Sequence, residues 1–131
     1  MVCLDTSVLV ALIRKDQDAL DSLEAEAQRG GTVTTTPVNL CELYAGAQGA
    51  RDPAKEMPKV DELVARLGVL EFGVEAAQKY GELTREDALR KGPIGDFDMI
   101  IAAIALEEEE RLATRNVKHF SRVPGLSVER W

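Results

Sequence analysis

The chain opens on a short apolar run, Val2-Cys3-Leu4, that stops at Asp5-Thr6-Ser7. An apolar run followed by side chains able to accept from the free amides of a first turn predicts a strand and then a helix. Val8, Leu9, Leu12 and Ile13 follow at helical spacing. A second helix is predicted over Asp18 to Gln28, with Leu20, Leu23 and Ala27 on one face and Gly30-Gly31 ending it. The polar but β-branched run Thr32 to Thr36 predicts a second strand. Pro37 closes it and opens a helix carrying Leu40, Cys41, Tyr44 and Ala45. Lys55 to Leu67 reads as helix, with Pro58 marking a break or restart. Gly68 to Phe72 is the predicted third strand, and Val74 to Arg90 one long helix. Asp96 to Leu106 is a nearly all-apolar helix with Glu107 to Glu110 as its solvated end. Arg111 to Thr114 and Leu126 to Glu129 complete the strands. Strands alternating with helices predict an α/β fold, a mainly parallel sheet of about five strands with helices on both faces.

At 131 residues the chain fits one domain, 1–131, and its 45% hydrophobic content supplies a core while excluding a disordered tail. A net charge of −7 argues against coating nucleic acid or an anionic membrane by bulk charge. It leaves open a local basic surface, or a site that meets phosphate through metal ions. The single histidine, His119, excludes hydrolysis by a histidine pair and a zinc site of the two-histidine kind. Cys3 and Cys41 are expected as two buried free thiols in a reducing cytosol. The N-terminus lacks the basic region and long apolar run of a signal peptide. Met99 to Leu106, the longest apolar stretch, falls well short of the roughly 20 residues that span a bilayer, so a cytoplasmic protein without membrane contact is expected.

Candidate chemistry gathers where strands hand over to helices, the place where open parallel sheets bind ligands. Asp5 directly follows the first strand; Thr114 and Asn116 lie at and after the fourth. Glu42 stands among Leu40, Cys41 and Leu43, and Asp96 and Asp98 open the apolar helix. Each acid has a plain structural reading. Asp5 alone reads best as a helix cap, one of Asp96 and Asp98 should cap the last long helix, and Glu42 alone is an ordinary exposed helix residue. Their combination is the informative fact, because gathered carboxylates without adjacent Lys or Arg need a positive partner. An oxygen-ligand ion such as Mg²⁺ or Mn²⁺ would supply it.

Four blocks of sequence resemble the PIN-domain nucleases, and more narrowly the VapC toxins of toxin–antitoxin pairs. They are Leu4-Asp5-Thr6-Ser7-Val8-Leu9, Asn39-Leu40-Cys41-Glu42-Leu43-Tyr44-Ala45-Gly46, Pro93-Ile94-Gly95-Asp96-Phe97-Asp98-Met99-Ile100-Ile101-Ala102-Ala103, and Leu112 to Phe120 followed by Val123-Pro124-Gly125-Leu126. The resemblance implies a PIN-like three-layer α/β/α fold and a ribonuclease dependent on Mg²⁺ or Mn²⁺. It implies that Asp5 and Asp98 hold the metal, Glu42 completes the cluster, Asp96 binds or orients a second ion or its waters, and Thr114 lines the site. Asn116 stands where many PIN domains carry a further Asp, which puts a strict two-metal mechanism in question. A homodimer and a VapB-type antitoxin partner are also implied, with Leu40, Tyr44, Val60 and Leu63 expected as exposed contact surface.

Residues 111–131 carry Arg111, Arg115, Lys118, Arg122 and Arg130 against Glu129 alone, a basic lip suited to RNA. Arg115, Lys118 and Arg14 are the expected RNA contacts. His119, beside Phe120, and the terminal Trp131 are read as packing residues without a catalytic role. Two other readings stay open. One is a catalytically inactive PIN-fold RNA-binding or scaffold module; the other is a DNA nuclease or phosphatase using the same metal site.

Overall fold

The side chains of the first strand, β1 (Val2–Leu4), point alternately to two different cores, which makes it a central strand. Val2 and Leu4 join Ala113 and helix α1 (Thr6–Ile13) in one cluster. Cys3 joins Leu112, Ile101 and Phe120 in another on the opposite face. In the computed structural model, which describes residues 1–131, five parallel strands lie in the order β3-β2-β1-β4-β5. These are β2 (Val33–Thr35), β3 (Gly68–Val69), β4 (Arg111–Thr114) and β5 (Val128–Arg130) with β1 at the centre. Helices α1, α2 (Gln17–Gln28), α3 (Pro37–Gln48) and α4 (Pro53–Val64) contribute to the cluster that contains Val2 and Leu4. On the other face lie α7 (Asp96–Glu107) and α8 (Val117–Phe120), and α5 (Val74–Leu83) packs on α7. The expected α/β architecture is thus present, and its sheet is wholly parallel.

Several elements depart from the sequence expectation. The helix expected over Val74 to Arg90 is divided into α5 and α6 (Asp87–Lys91). The Thr84 hydroxyl donates to the Gly81 carbonyl at 2.6 Å, and Glu86 then takes an extended conformation that starts α6. Strand β3 is two residues long because its partner β2 is short, Thr36 turning out of the sheet to become the N-cap of α3. α4 runs from Pro53 to Val64 straight through Pro58. β5 starts at Val128, since Leu126 belongs to the preceding turn and gives its side chain to the core around α7. Glu110 is buried rather than solvated and accepts from the Thr34 hydroxyl. Cys3 is buried, its thiol pushed well up by desolvation, whereas Cys41 is exposed. Val60, expected on the surface, is buried on the inner face of α4, while Leu40, Tyr44 and Leu63 are half-buried. Trp131 packs into the core as expected.

Helix α7 carries the candidate acids on its first turn and is anchored by a run of buried side chains, Ile101 to Ala105. Ile101→Ala should cost about 2–5 kcal/mol, because it leaves a cavity in fully packed surroundings. Phe97→Ala, on the same helix at 55% exposure, should stay within about 0.5 kcal/mol of the parent. Urea denaturation of the two variants checks the contrast.

Candidate active site

The chain proceeds from β1 outward to β2 and β3, then crosses to β4 and β5 on the other side of β1. The change of direction opens a crevice between β1 and β4 at their carboxyl ends, where open α/β sheets place ligands. Asp5 and Thr114 stand there. The Asp5 amide donates to the Ala113 carbonyl at 2.9 Å, which fixes the two strand ends against each other.

Asp5 occupies the N-cap position of α1 but makes no capping bond with its side chain. Its carboxylate is 4% exposed and accepts three hydrogen bonds instead. Asn39 Nδ2 donates to Oδ1 at 3.1 Å; Thr114 Oγ1 and Ser7 Oγ donate to Oδ2 at 2.8 and 3.1 Å. Ser7 and Thr114 are oriented in turn by the backbone amides of Arg115 and Asn116, each at 3.0 Å. The capping reading of Asp5 therefore fails, and its carboxylate is held facing the crevice.

Asn39 extends this order to Glu42. Its carboxamide accepts from Thr36 Oγ1 at 2.7 Å and donates both to Asp5 and to Thr6 Oγ1, the latter at 3.0 Å. The Thr6 hydroxyl donates to Glu42 Oε1 at 2.7 Å. Glu42 is half-buried, and desolvation, assisted by the Asp5 and Asp98 charges, pushes its carboxyl above the usual range despite the Thr6 bond. Asp98 is raised in the same way, by desolvation and then by Asp5, against the lowering effect of His119. Neither Asp96 nor Asp98 caps α7, whose N-cap is Gly95 without a side-chain bond.

The structure thus brings Asp5, Glu42, Asp98 and Thr114 together. Asp96 is exposed and accepts from the Tyr80 hydroxyl at 3.3 Å; Asn116 is exposed at the start of α8. Four participants were not assigned to the site from the sequence: Thr6, Ser7, Asn39 and His119. His119 Nε2 lies 2.8 Å from Asp98 Oδ2 and 3.0 Å from the Ile94 carbonyl oxygen. Its ring also meets Phe120 edge-on with centroids 5.4 Å apart, so the packing expectation describes only part of its environment.

The expected basic lip is largely occupied within the chain. Arg115 pairs with Asp16, its Nη2 at 2.5 Å, and donates from Nε to the Trp131 carbonyl, so it is not a free RNA contact. Arg111 is held between Glu26 and Glu129 at 2.7 and 2.8 Å. Lys118 and Arg14 are exposed. Arg14 borders a groove of about 610 Å³ that reaches Glu42, joined there by Arg51, Lys55 and Lys59, cations not expected at the site.

Asp5, Glu42, Asp98 and Thr114 offer carboxylate and hydroxyl oxygens, the set preferred by hard divalent ions. Asp98 has the His119 imidazole as its one basic neighbour, and no Lys or Arg pairs with Asp5, Glu42 or Asp98. As the side chains stand, no three His, Cys, Asp or Glu are arranged to hold one ion. The donor chemistry and the uncompensated charge fit a divalent cation.

A family model described as the PIN domain matches residues 2–126. The chain is 33% identical over 129 residues to "Ribonuclease VapC2" of Rickettsia felis, covering 98% of this chain and 96% of that protein. It is 30% identical over 128 residues to the "tRNA(fMet)-specific endonuclease VapC" of Shigella flexneri, with 98% and 96% covered. Among solved structures, VapBC2 from Rickettsia felis bound to a promoter DNA fragment superimposes with a TM-score of 0.92 at 30% identity, covering 100% of this chain and 99% of that one.

The raised carboxyls of Glu42 and Asp98 carry a sign for stability. Protonated below the unfolded-state value of about 4, they favour the folded chain; that contribution is lost as pH rises through their higher folded values. Metal-free Asp98→Asn keeps an acceptor for His119 and removes one of the opposing charges. It should therefore melt a few degrees above the parent at neutral pH, the shift that about 1 kcal/mol gives at this size, and show a flatter pH dependence. Thermal melts in EDTA across pH check this, and a mutant that melts lower at neutral pH contradicts the charge account.

Proposed function

Because the chain belongs to the PIN-domain family, we propose that it is a VapC-type toxin, a metal-dependent endoribonuclease silenced by a VapB-type antitoxin. The observation that carries this reading is the convergence of Asp5, Glu42 and Asp98 at the strand-order switch point, charges mutually opposed and unpaired by any Lys or Arg. An idle acidic cluster of this kind would burden the fold, which disfavours an inactive scaffold. Asp5 and Asp98, with Glu42, would hold Mg²⁺ or Mn²⁺. When bound, such an ion lowers the pKa of a water and offsets the charge growing on the phosphate.

The residues of the chain do the rest. Asn39, Ser7 and Thr114 keep the Asp5 carboxylate in place, and Thr6 keeps that of Glu42. Glu42, with its raised carboxyl, would take the proton of the attacking water. The water oxygen bonds to phosphorus, the bond from phosphorus to the 3′ oxygen breaks, and that oxygen takes a proton from solvent, leaving 5′-phosphate and 3′-hydroxyl ends. RNA is the substrate class we assign, with Arg14, Lys118 and the groove cations Arg51 and Lys55 available to its phosphates.

A second groove, about 850 Å³, runs beside the first and shares Ile13, Arg14 and Lys59 with it. Leu20, Leu23, Val33, Leu63 and Leu67 give it an apolar lining. Together the two form a track from an apolar trough to Glu42, suited to an extended antitoxin segment with apolar anchors. A homodimer completes the reading. Val69, Phe72 and Val74, all exposed near the open edge of β3, offer apolar surface for a second copy to cover. No helix is long and apolar enough to cross a membrane, and we assign the protein to the cytoplasm.

Purified protein should cleave single-stranded RNA with Mg²⁺ or Mn²⁺, lose the activity in EDTA, and stop when the antitoxin is added. Asp98→Asn should reduce cleavage at least about 100-fold, since several kcal/mol of charge stabilisation depend on the ion. Undiminished cleavage by rigorously metal-free protein, or by Asp98→Asn, refutes the assignment.

A further inference from the structure

Each acid of the cluster has its own hydrogen-bond donors, and those of Asp5 and Glu42 are hydroxyls and an amide from α1, α3 and β4. Asp98 is different: its side-chain bond is to the chain's single histidine. We propose that His119 is a positioning residue that holds the Asp98 carboxylate in the orientation a divalent cation requires, a role that presupposes the metal-dependent site proposed above.

The geometry fixes the direction of the bond. Nε2 lies within hydrogen-bond distance of both Asp98 Oδ2 and the Ile94 carbonyl oxygen. A carbonyl oxygen can only accept, so Nε2 carries the proton and donates to the two oxygens together. The imidazole thereby ties α8 to the loop before α7 and to the first turn of α7. No side chain caps the start of α7, where Gly95 takes a φ of 92°. Ile94 is buried just before it, and the histidine ring is backed edge-on by the fully buried Phe120. The donor is thus mounted on packed structure, and the carboxylate it grips is set by α8 as well as by its own helix.

A carboxylate with one oxygen held in this way presents the other without first losing rotamer freedom. Hydrogen-bond partners of metal ligands commonly change metal affinity about 10–100-fold when removed. If His119 served packing alone, its loss would lower stability yet leave the metal affinity of the folded protein unchanged. Gln places a side-chain amide donor near the position of Nε2 and lacks the aromatic ring, so it separates the two roles.

The test is calorimetric titration of Mn²⁺ into the full chain, the His119→Ala variant and the His119→Gln variant, each at a temperature where circular dichroism shows it folded. His119→Ala should bind Mn²⁺ at least about tenfold more weakly, and His119→Gln should recover most of the loss. Because the chain has one histidine, nitrogen-15 NMR of its ring is unambiguous. It should show the Nε2-protonated tautomer and shift on titration with Mg²⁺. Mn²⁺ binding by the parent with equal affinity in His119→Ala overturns the positioning role and leaves the metal site standing. A parent that binds no Mn²⁺ overturns both. Should His119→Ala not fold, the parent's NMR titration and the His119→Gln variant decide between the two roles. Ring signals that ignore Mg²⁺ overturn the positioning role, and so does a loss of affinity in His119→Gln as large as removing the donor would give.

Discussion

A primary amide has two N–H groups and one carbonyl oxygen, and burying it is costly unless all three find partners. Asn39 meets that condition at full burial through Thr36, Asp5 and Thr6, which come from the ends of two strands and the start of α1. The amide thereby orders both carboxylates nearest to it: Asp5 directly, and Glu42 through the Thr6 hydroxyl. Its own position follows from the helix around it. Pro37 starts α3, and the Thr36 hydroxyl accepts from the Asn39 amide at 3.2 Å, so the first turn is capped before the side chain reaches inward. From that first turn Asn39 reaches Asp5 and leaves Glu42 one helical step farther along the same helix.

What could be read along the chain was what the immediate neighbours determine. The apolar run before Asp5 ends where β1 ends, and the uninterrupted apolar positions after Asp98 form the buried helix α7. The acids were legible because each is a polar residue in an apolar stretch. Long-range pairing was not. Nothing beside Arg115 announces that Asp16, far back in the chain, will occupy its guanidinium, and nothing beside His119 announces Asp98. Asn39 carried no charge to make it conspicuous, although an amide three residues from a helix cap and three before an acid was its signal. Glu110 misled for the opposite reason: four consecutive glutamates read as solvated surface, and the last of them turns under the sheet to Thr34.

Charge is distributed in two ways in this molecule. At the outer side of β4 and β5, opposite charges are matched: Glu26 takes Arg29 and Arg111, Arg111 also takes Glu129, and the Trp131 indole donates to Glu129 at 2.9 Å. Glu26 is buried and its carboxyl is held below the usual range by those two arginines. At the crevice the opposite holds, with like charges adjacent and their carboxyls raised. The matched network stabilises the frame, and the unmatched cluster stores the electrostatic demand that a cation can meet. Both depend on β4, which sends Arg111 to the first and Thr114 to the second.

The order in which these parts occur along the chain has a consequence for its synthesis. The residues lining both grooves end at Leu67, whereas the carboxylate cluster lacks Asp98, and Asp5 lacks its Thr114 donor, until most of the chain has been made. A chain still leaving the ribosome therefore carries the lining of its grooves long before it can close the site between β1 and β4. Because β4 inserts beside the first strand rather than after the third, the molecule stays chemically unfinished until its sheet is nearly whole.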